Sequence, residues 1–252
     1  MNNRFRNLEK IEFVITDACT GKCKHCSEGD HKLSGESIDP AIAADSVRRI
    51  CEKYAIKTVM VFGGEPLLYP QTVYKIISTA KELDIPRRQV ITNGYFSKSE
   101  EKIREVAKTL YASGVNDLLL SVDAFHQETI PLPVVKKFAR EAKNCGIPIR
   151  LQPAWLISAS DGNSYNLKTR EILAEFSYMS IPVGDGNVIF PEGNAKRYLY
   201  EYFADNVPEN PYNEDPCDIK CISFSANGDV LSDNVYKRGI IEIMDRYSSI
   251  LT

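Results

Sequence analysis

Lys57-Thr-Val-Met-Val-Phe62-Gly63-Gly64-Glu65-Pro66 is an apolar, β-branched run that breaks into a pair of glycines. Six such residues bounded by turn chemistry read as a strand buried on both faces. The glycines let the chain turn sharply and approach a ligand closely, and Glu65 adds a carboxylate able to pair with an ammonium. Alone, a Gly-Gly turn between strand and helix is ordinary punctuation; its meaning depends on what surrounds it.

Outward from that strand the pattern repeats. Strands are expected over 11–16, 89–92, 117–122, 147–152 and, shorter, 187–190. Helices follow at Asp39-Pro40, which is an N-cap and a first-turn proline, then over 69–83, after the capping box Ser97-x-x-Glu100, and over 133–144 and 168–179. On the first helix Ala43, Val47, Ile50, Cys51 and Tyr54 share one apolar face. Six strand–helix repeats imply a parallel sheet with right-handed crossovers. A closed eight-fold barrel needs about 250 residues by itself, whereas this alternation stops near 190, so an open, partial (β/α)6 barrel is the better fit.

The loop after the first strand carries Cys19-x-x-x-Cys23-x-x-Cys26. Thiolates this close on one loop suit an iron–sulfur cluster, and three of them leave one iron of a four-iron cubane free. Spacing alone leaves alternatives. Cys23 and Cys26 also form the C-x-x-C of zinc knuckles and redox pairs, and His25 or His31 would complete a zinc site.

Taken together, the three cysteines and Gly63-Gly64-Glu65-Pro66, each at a strand end, resemble the radical S-adenosylmethionine (SAM) superfamily. The resemblance implies a [4Fe–4S] cluster on Cys19, Cys23 and Cys26, with the SAM amino and carboxylate groups on the fourth iron. It further implies that Gly63, Gly64, Glu65 and Pro66 receive the SAM ammonium. Thr92-Asn93-Gly94 is similar to a recurrent element of the family, which nominates Asn93. Ser121-Val-Asp123 resembles the segment that reaches the SAM ribose or carboxylate, although Asp123 also stands where a helix cap would. Ligands lie at the C-terminal strand ends of such barrels, which adds Gln152, with Trp155 as pocket floor or packing, and His126 as a substrate contact or proton donor. No other catalytic residue is assigned, because the family's cofactor performs the difficult step.

The family chemistry is one-electron cleavage of SAM to a 5′-deoxyadenosyl radical that takes hydrogen from a substrate. It implies a reductant such as flavodoxin or ferredoxin. The substrate expected here is a peptide or protein side chain, with a small metabolite or a glycyl-radical enzyme as the alternative and a non-catalytic electron carrier as the remaining class.

After residue 190 the chain changes character. Pro191-Glu192-Gly193-Asn194-Ala195 resembles a turn of larger family members, an aromatic stretch and a linker over 207–216 follow, and Cys217-x-x-x-Cys221 leads to a hairpin turning at Asn227-Gly228, closed by a helix over 237–247. This resembles the start of a SPASM or Twitch extension. Asp233 stands where a cysteine is expected, so no auxiliary cluster is expected. The division is therefore a barrel over 1–190 and an extension over 191–252.

The chain has 252 residues, is 43% hydrophobic and carries a net charge of −3. That suffices for a sizeable core and disfavours nucleic-acid binding. No membrane partner is expected, and no signal peptide is visible at the start. Seven cysteines without a secretion signal point to the cytoplasm.

Overall fold

The computed structural model describes residues 3–203 and 207–250. Five strands and their helices follow in sequence: β1 (Lys10–Val14), α1 (Pro40–Cys51), β2 (Thr58–Phe62), α2 (Pro70–Glu82), β3 (Arg87–Thr92), α3 (Glu100–Ser113), β4 (Asp117–Ser121), the short α4 (Ala124–Gln127), α5 (Leu132–Asn144) and β5 (Ile149–Gln152). Then come β6 (Ala154–Trp155), α6 (Ser164–Ala174), β7 (Asn187–Val188), α7 (Gly193–Tyr198), β8 (Cys221–Phe224), β9 (Asp229–Val230), β10 (Asp233–Asn234) and α8 (Ile240–Ile250). The main sheet has the order β5-β4-β3-β2-β1-β8, and every pair in it is parallel. The open α/β architecture agrees with the partial barrel expected from the alternation.

The strand period sorts side chains between two layers. On β1, Ile11 and Phe13 are fully buried against the helices, while Lys10, Glu12 and Val14 are only half-buried and face inward. Val59 and Val61 repeat the outward pattern on β2, and Ile50, Val73, Ile76 and Phe138 join the same buried core from the helices. α1 begins where the sequence marks it: Asp39 accepts from the amides of Ala41 and Ile42 at 2.8 and 3.0 Å. α3 differs by two residues. Its cap is Ser99, which accepts from Lys102, because Ser97 Oγ is spent on the Ser99 amide.

Two departures shape the site. The segment expected as a sixth sheet strand is interrupted. The chain just before it bridges to β5 between Val183 and Leu151, and Asn187–Val188 then pairs as β7 with β6. Pro153 and Pro182 lack the amide hydrogens a continuous ladder requires, and Gly186, at φ 80°, bends the chain between them. The sixth strand of the sheet is instead β8, in register with β1 from Lys10–Cys221 to Phe13–Phe224. Phe13 and Phe224 stack with ring centres 4.6 Å apart. The Asn227-Gly228 turn forms, with Gly228 donating to the Ser225 carbonyl and Ser225 to that of Asp229. The two-stranded ribbon lies one turn later, between β9 and β10. α8 packs beside α1. No helix among the described residues is long and apolar enough to cross a membrane.

Candidate active site

The C-terminal ends of the strands surround a cavity of about 410 Å3, within the size range of small-molecule sites. Cys19, Cys23 and Cys26 all stand in its wall as free thiols. Their loop is clamped onto the turn after β2: Gly64 donates to the Thr16 carbonyl at 2.8 Å and Glu65 to that of Ala18 at 2.7 Å. A Cβ on Gly63 would stand 2.6 Å from the Thr16 carbonyl oxygen, and one on Gly64 only 2.2 Å from that of Ala18. The glycine pair is therefore the contact surface between the two motifs, and Gly63 and Gly64 both line the cavity.

Glu65 and Pro66 stand behind that wall. The Glu65 carboxylate is fully buried and accepts from Leu67 N–H, Thr92 Oγ and Asn93 N–H at 2.9, 2.7 and 2.8 Å. Burial outweighs these donors and lifts its pKa to about 7. It thereby ties the β2 turn to the end of β3. Asn93 is placed by that contact, and its side-chain amide reaches Thr20 Oγ at 3.2 Å and Cys19 Sγ at 3.6 Å.

Asp123 is the buried carboxylate at the end of β4. It caps α4, the short helix the sequence pattern passed over, by accepting from the His126 amide at 2.9 Å. Its other oxygen meets His126 Nδ1 at 2.8 Å and the Ala154 amide at 3.0 Å. Burial raises its pKa, but the charge and hydrogen bonds of His126 prevail and hold it at about 2. Cap and site partner are thus one residue in two roles. Ligand atoms of His25, Asp123 and His126 lie within 4.8 Å of one another. His25, whose pKa burial lowers to about 4, keeps a buried Nδ1 with no hydrogen-bond partner.

Ser121 and Gln152 line the cavity. Trp155 does not floor it: the indole is buried and donates to the Asp185 carbonyl at 2.8 Å. His31 bonds Cys26 Sγ at 3.2 Å and the Asp17 carbonyl at 2.7 Å, and the Cys26 contact raises its pKa to about 9. Burial pushes the Cys19 thiol up to about 11 and the Cys23 thiol higher still.

Three cysteines in one wall, two of them with thiols that burial pushes up, an unpartnered ring nitrogen and a cradle that tolerates no Cβ fit a site finished by a bound cationic group. Residues 13–147 match the radical SAM superfamily. The chain belongs to the radical SAM superfamily. That makes it a radical SAM enzyme, whose family cofactors are a [4Fe–4S] cluster and SAM. Among curated radical SAM relatives, a probable GTP 3′,8-cyclase of Sulfolobus acidocaldarius is 33% identical over 155 residues, 58% of this chain and 47% of that protein. One from Saccharolobus solfataricus is 28% identical over 222 residues, 80% of this chain and 67% of that protein. The chain thus spans about half to two thirds of the relatives it matches. The structure of SuiB from Streptococcus suis bound to S-adenosylmethionine superimposes with a TM-score of 0.55 over 94% of this chain and 66% of that one, at 12% identity, a likeness of fold.

Two groups of site residues escaped the motif reading. Asn194 donates from its backbone to the Cys26 carbonyl at 2.8 Å and from its side chain to that of Cys23 at 3.3 Å, so the Pro191–Ala195 turn braces the radical SAM cysteine loop. Gly193 is required there, since a Cβ would lie 2.2 Å from the Ser27 carbonyl oxygen. Glu12, Tyr212 and Ser223 also line the cavity. Glu12 had a legible signal, a carboxylate on the inward phase of an alternating strand.

Proposed function

We propose that this chain cleaves SAM reductively at a cluster on Cys19, Cys23 and Cys26 and uses the radical to take hydrogen from a small-molecule substrate in the barrel. The observation that carries the reading is the clamp of the cysteine loop onto Gly63-Gly64-Glu65, because it puts three thiols and a side-chain-free backbone into one cavity wall. When bound, the cluster and SAM supply the one-electron cleavage and the 5′-deoxyadenosyl radical.

The chain's own residues do the rest. Gly63 and Gly64 leave room for a ligand against the β2 turn, and Asn93 steadies Cys19 from β3. Ser121, Asp123 with His126, and Gln152 offer polar contacts from β4 and β5. Met60, Phe62 and Ile91 give the cavity an apolar stretch of wall, which limits water where a radical would be quenched. In this division of labour, residues 1–190 carry the SAM chemistry and the segment after 190 completes the outer wall through Tyr212 and Ser223. A flavodoxin or ferredoxin supplies the electron.

A small molecule is preferred to a peptide because the curated relatives are named for GTP and the cavity has small-molecule size. The reading extends to the class of substrate and stops short of GTP itself, since the chain spans only part of those relatives. The test is anaerobic. Protein reconstituted with iron and sulfide is given SAM and dithionite, and 5′-deoxyadenosine is quantified beside a Cys19/Cys23/Cys26 triple-alanine variant. Product from the wild type alone is expected. A loaded cluster that never cleaves SAM would favour an electron carrier, and failure to load a cluster would sink the reading.

A further inference from the structure

Glu12 is a carboxylate in the middle of a buried parallel strand, the position where an apolar side chain is the usual occupant. Its neighbours Ile11 and Phe13 are fully buried on the outer face, so Glu12 must point inward. Its side chain is only 12% exposed. It lines the main cavity and also an adjoining one of about 270 Å3, and Tyr212 and Ser223 are likewise shared by both.

Lys10, two residues back on the same inward face, forms an ion pair with Glu12, and Lys10 lines the adjoining cavity but not the main one. A carboxylate has about four acceptor positions, so the Lys10 contact leaves capacity facing the main cavity. On the β8 side Ser223 is the register partner of Glu12, and the Cys221 thiol, pushed up by burial and then by the Glu12 charge, hydrogen-bonds to the carboxylate as well. Lysine and arginine are absent from the main wall among the described residues, so the charge that β1 presents to the main cavity is the negative one of Glu12.

We propose that Glu12 anchors the amino group of a cationic, amine-bearing small substrate, with the Ser223 hydroxyl and the Tyr212 phenol beside it as further acceptors. The proposal rests on the radical SAM reading for the reaction, but the binding site stands on the cavity itself. Glu12 is in this sense a specificity residue: it selects by charge and leaves the chemistry to the far end of the cavity.

The test uses cluster-loaded, SAM-bound protein in anaerobic calorimetry, with three probes of one skeleton: 1,4-diaminobutane, butane-1,4-diol and succinate. The diamine is expected to bind at least about tenfold more tightly than the diol, the scale of one buried charge contact, and succinate to give no binding. Glu12→Gln should bring the diamine down to the diol while leaving SAM affinity unchanged. Lys10→Met should raise diamine affinity by freeing the carboxylate, a gain that a folding defect cannot mimic, so it carries the test should Glu12→Gln fail to fold. A diamine that binds no better than the diol or not at all, a preference for succinate, an unaffected Glu12→Gln, or a Glu12→Gln that loses SAM instead would each overturn the proposal. Deoxyadenosine is measured on the same samples. A wild type that prefers the diamine but never cleaves SAM would break the radical reading and leave the amine site standing.

Discussion

Glu65 after β2 and Asp123 after β4 are both fully buried carboxylates, two strands apart in one sheet, yet they are held in opposite states. Glu65 is surrounded by neutral donors, and burial lifts it to about 7. Asp123 faces His126, and that charge keeps it near 2 against the same burial. Depth therefore does not decide ionisation here; the nature of the partner does. One carboxylate serves as a peg between two strand ends, the other as a fixed negative charge bordering the cavity.

The comparison breaks most readily at Glu65. Glu65→Ala orphans the Leu67 amide, the Thr92 hydroxyl and the Asn93 amide together, and should cost about 4 kcal/mol of stability in urea denaturation, with iron loading impaired as well. A variant of wild-type stability with a full cluster would show that the peg is dispensable.

The pH dependence of the cluster-free protein should carry both signs. Glu65 rises from 4.5 to about 7 on folding, so the native state holds the extra proton between those values. Stability should fall as pH increases through that window, by about 3 kcal/mol in all. Asp123 drops from 3.8 to about 2. Its native state holds fewer protons there, so its contribution, about 2 kcal/mol, is present above 3.8 and lost as pH falls through 2. Chemical denaturation across pH reads both, and Glu65→Gln should flatten the upper slope alone.

Asp123→Asn should cost about 2 kcal/mol, and His126→Ala should cost less in that background than in the wild type. Additive losses would dissolve the pair. The smallest effect is Thr92→Val. Loss of one donor should lower stability by about 1 kcal/mol and move the Glu65 transition to higher pH, whereas a downward movement would contradict the assigned role of the hydroxyl.

Much of this arrangement is written locally in the chain. Asp39-Pro40 starts α1, the 57–62 run forms β2, and the chain turns at Gly63, whose φ of 148° favours glycine, because each depends on neighbours within a few residues. The cysteines and Gly63-Gly64 reach one wall because parallel strands put all their C-terminal ends on one side. What stayed hidden depends on partners far away in sequence. Nothing near Asn194 announces that it braces Cys23 and Cys26, nothing near Glu65 announces Thr92, and the fate of 187–190 was decided by prolines at 153 and 182. The capping box at Ser97 misled for a smaller reason: two serines competed for one helix start, and Ser99 reached the free amide.

The pairing of β8 with β1 has a consequence for how the molecule is made. Lys10 through Phe13 are made long before their partners Cys221 through Phe224. Until then one edge of β1 is an open template, and contacts of such long sequence separation form slowly. The cysteine loop begins directly after that strand. The metal-binding end of the protein is therefore built on a foundation whose last hydrogen bonds wait for residues far along the chain, and cofactor loading is best timed after Cys221 through Phe224 have paired with β1.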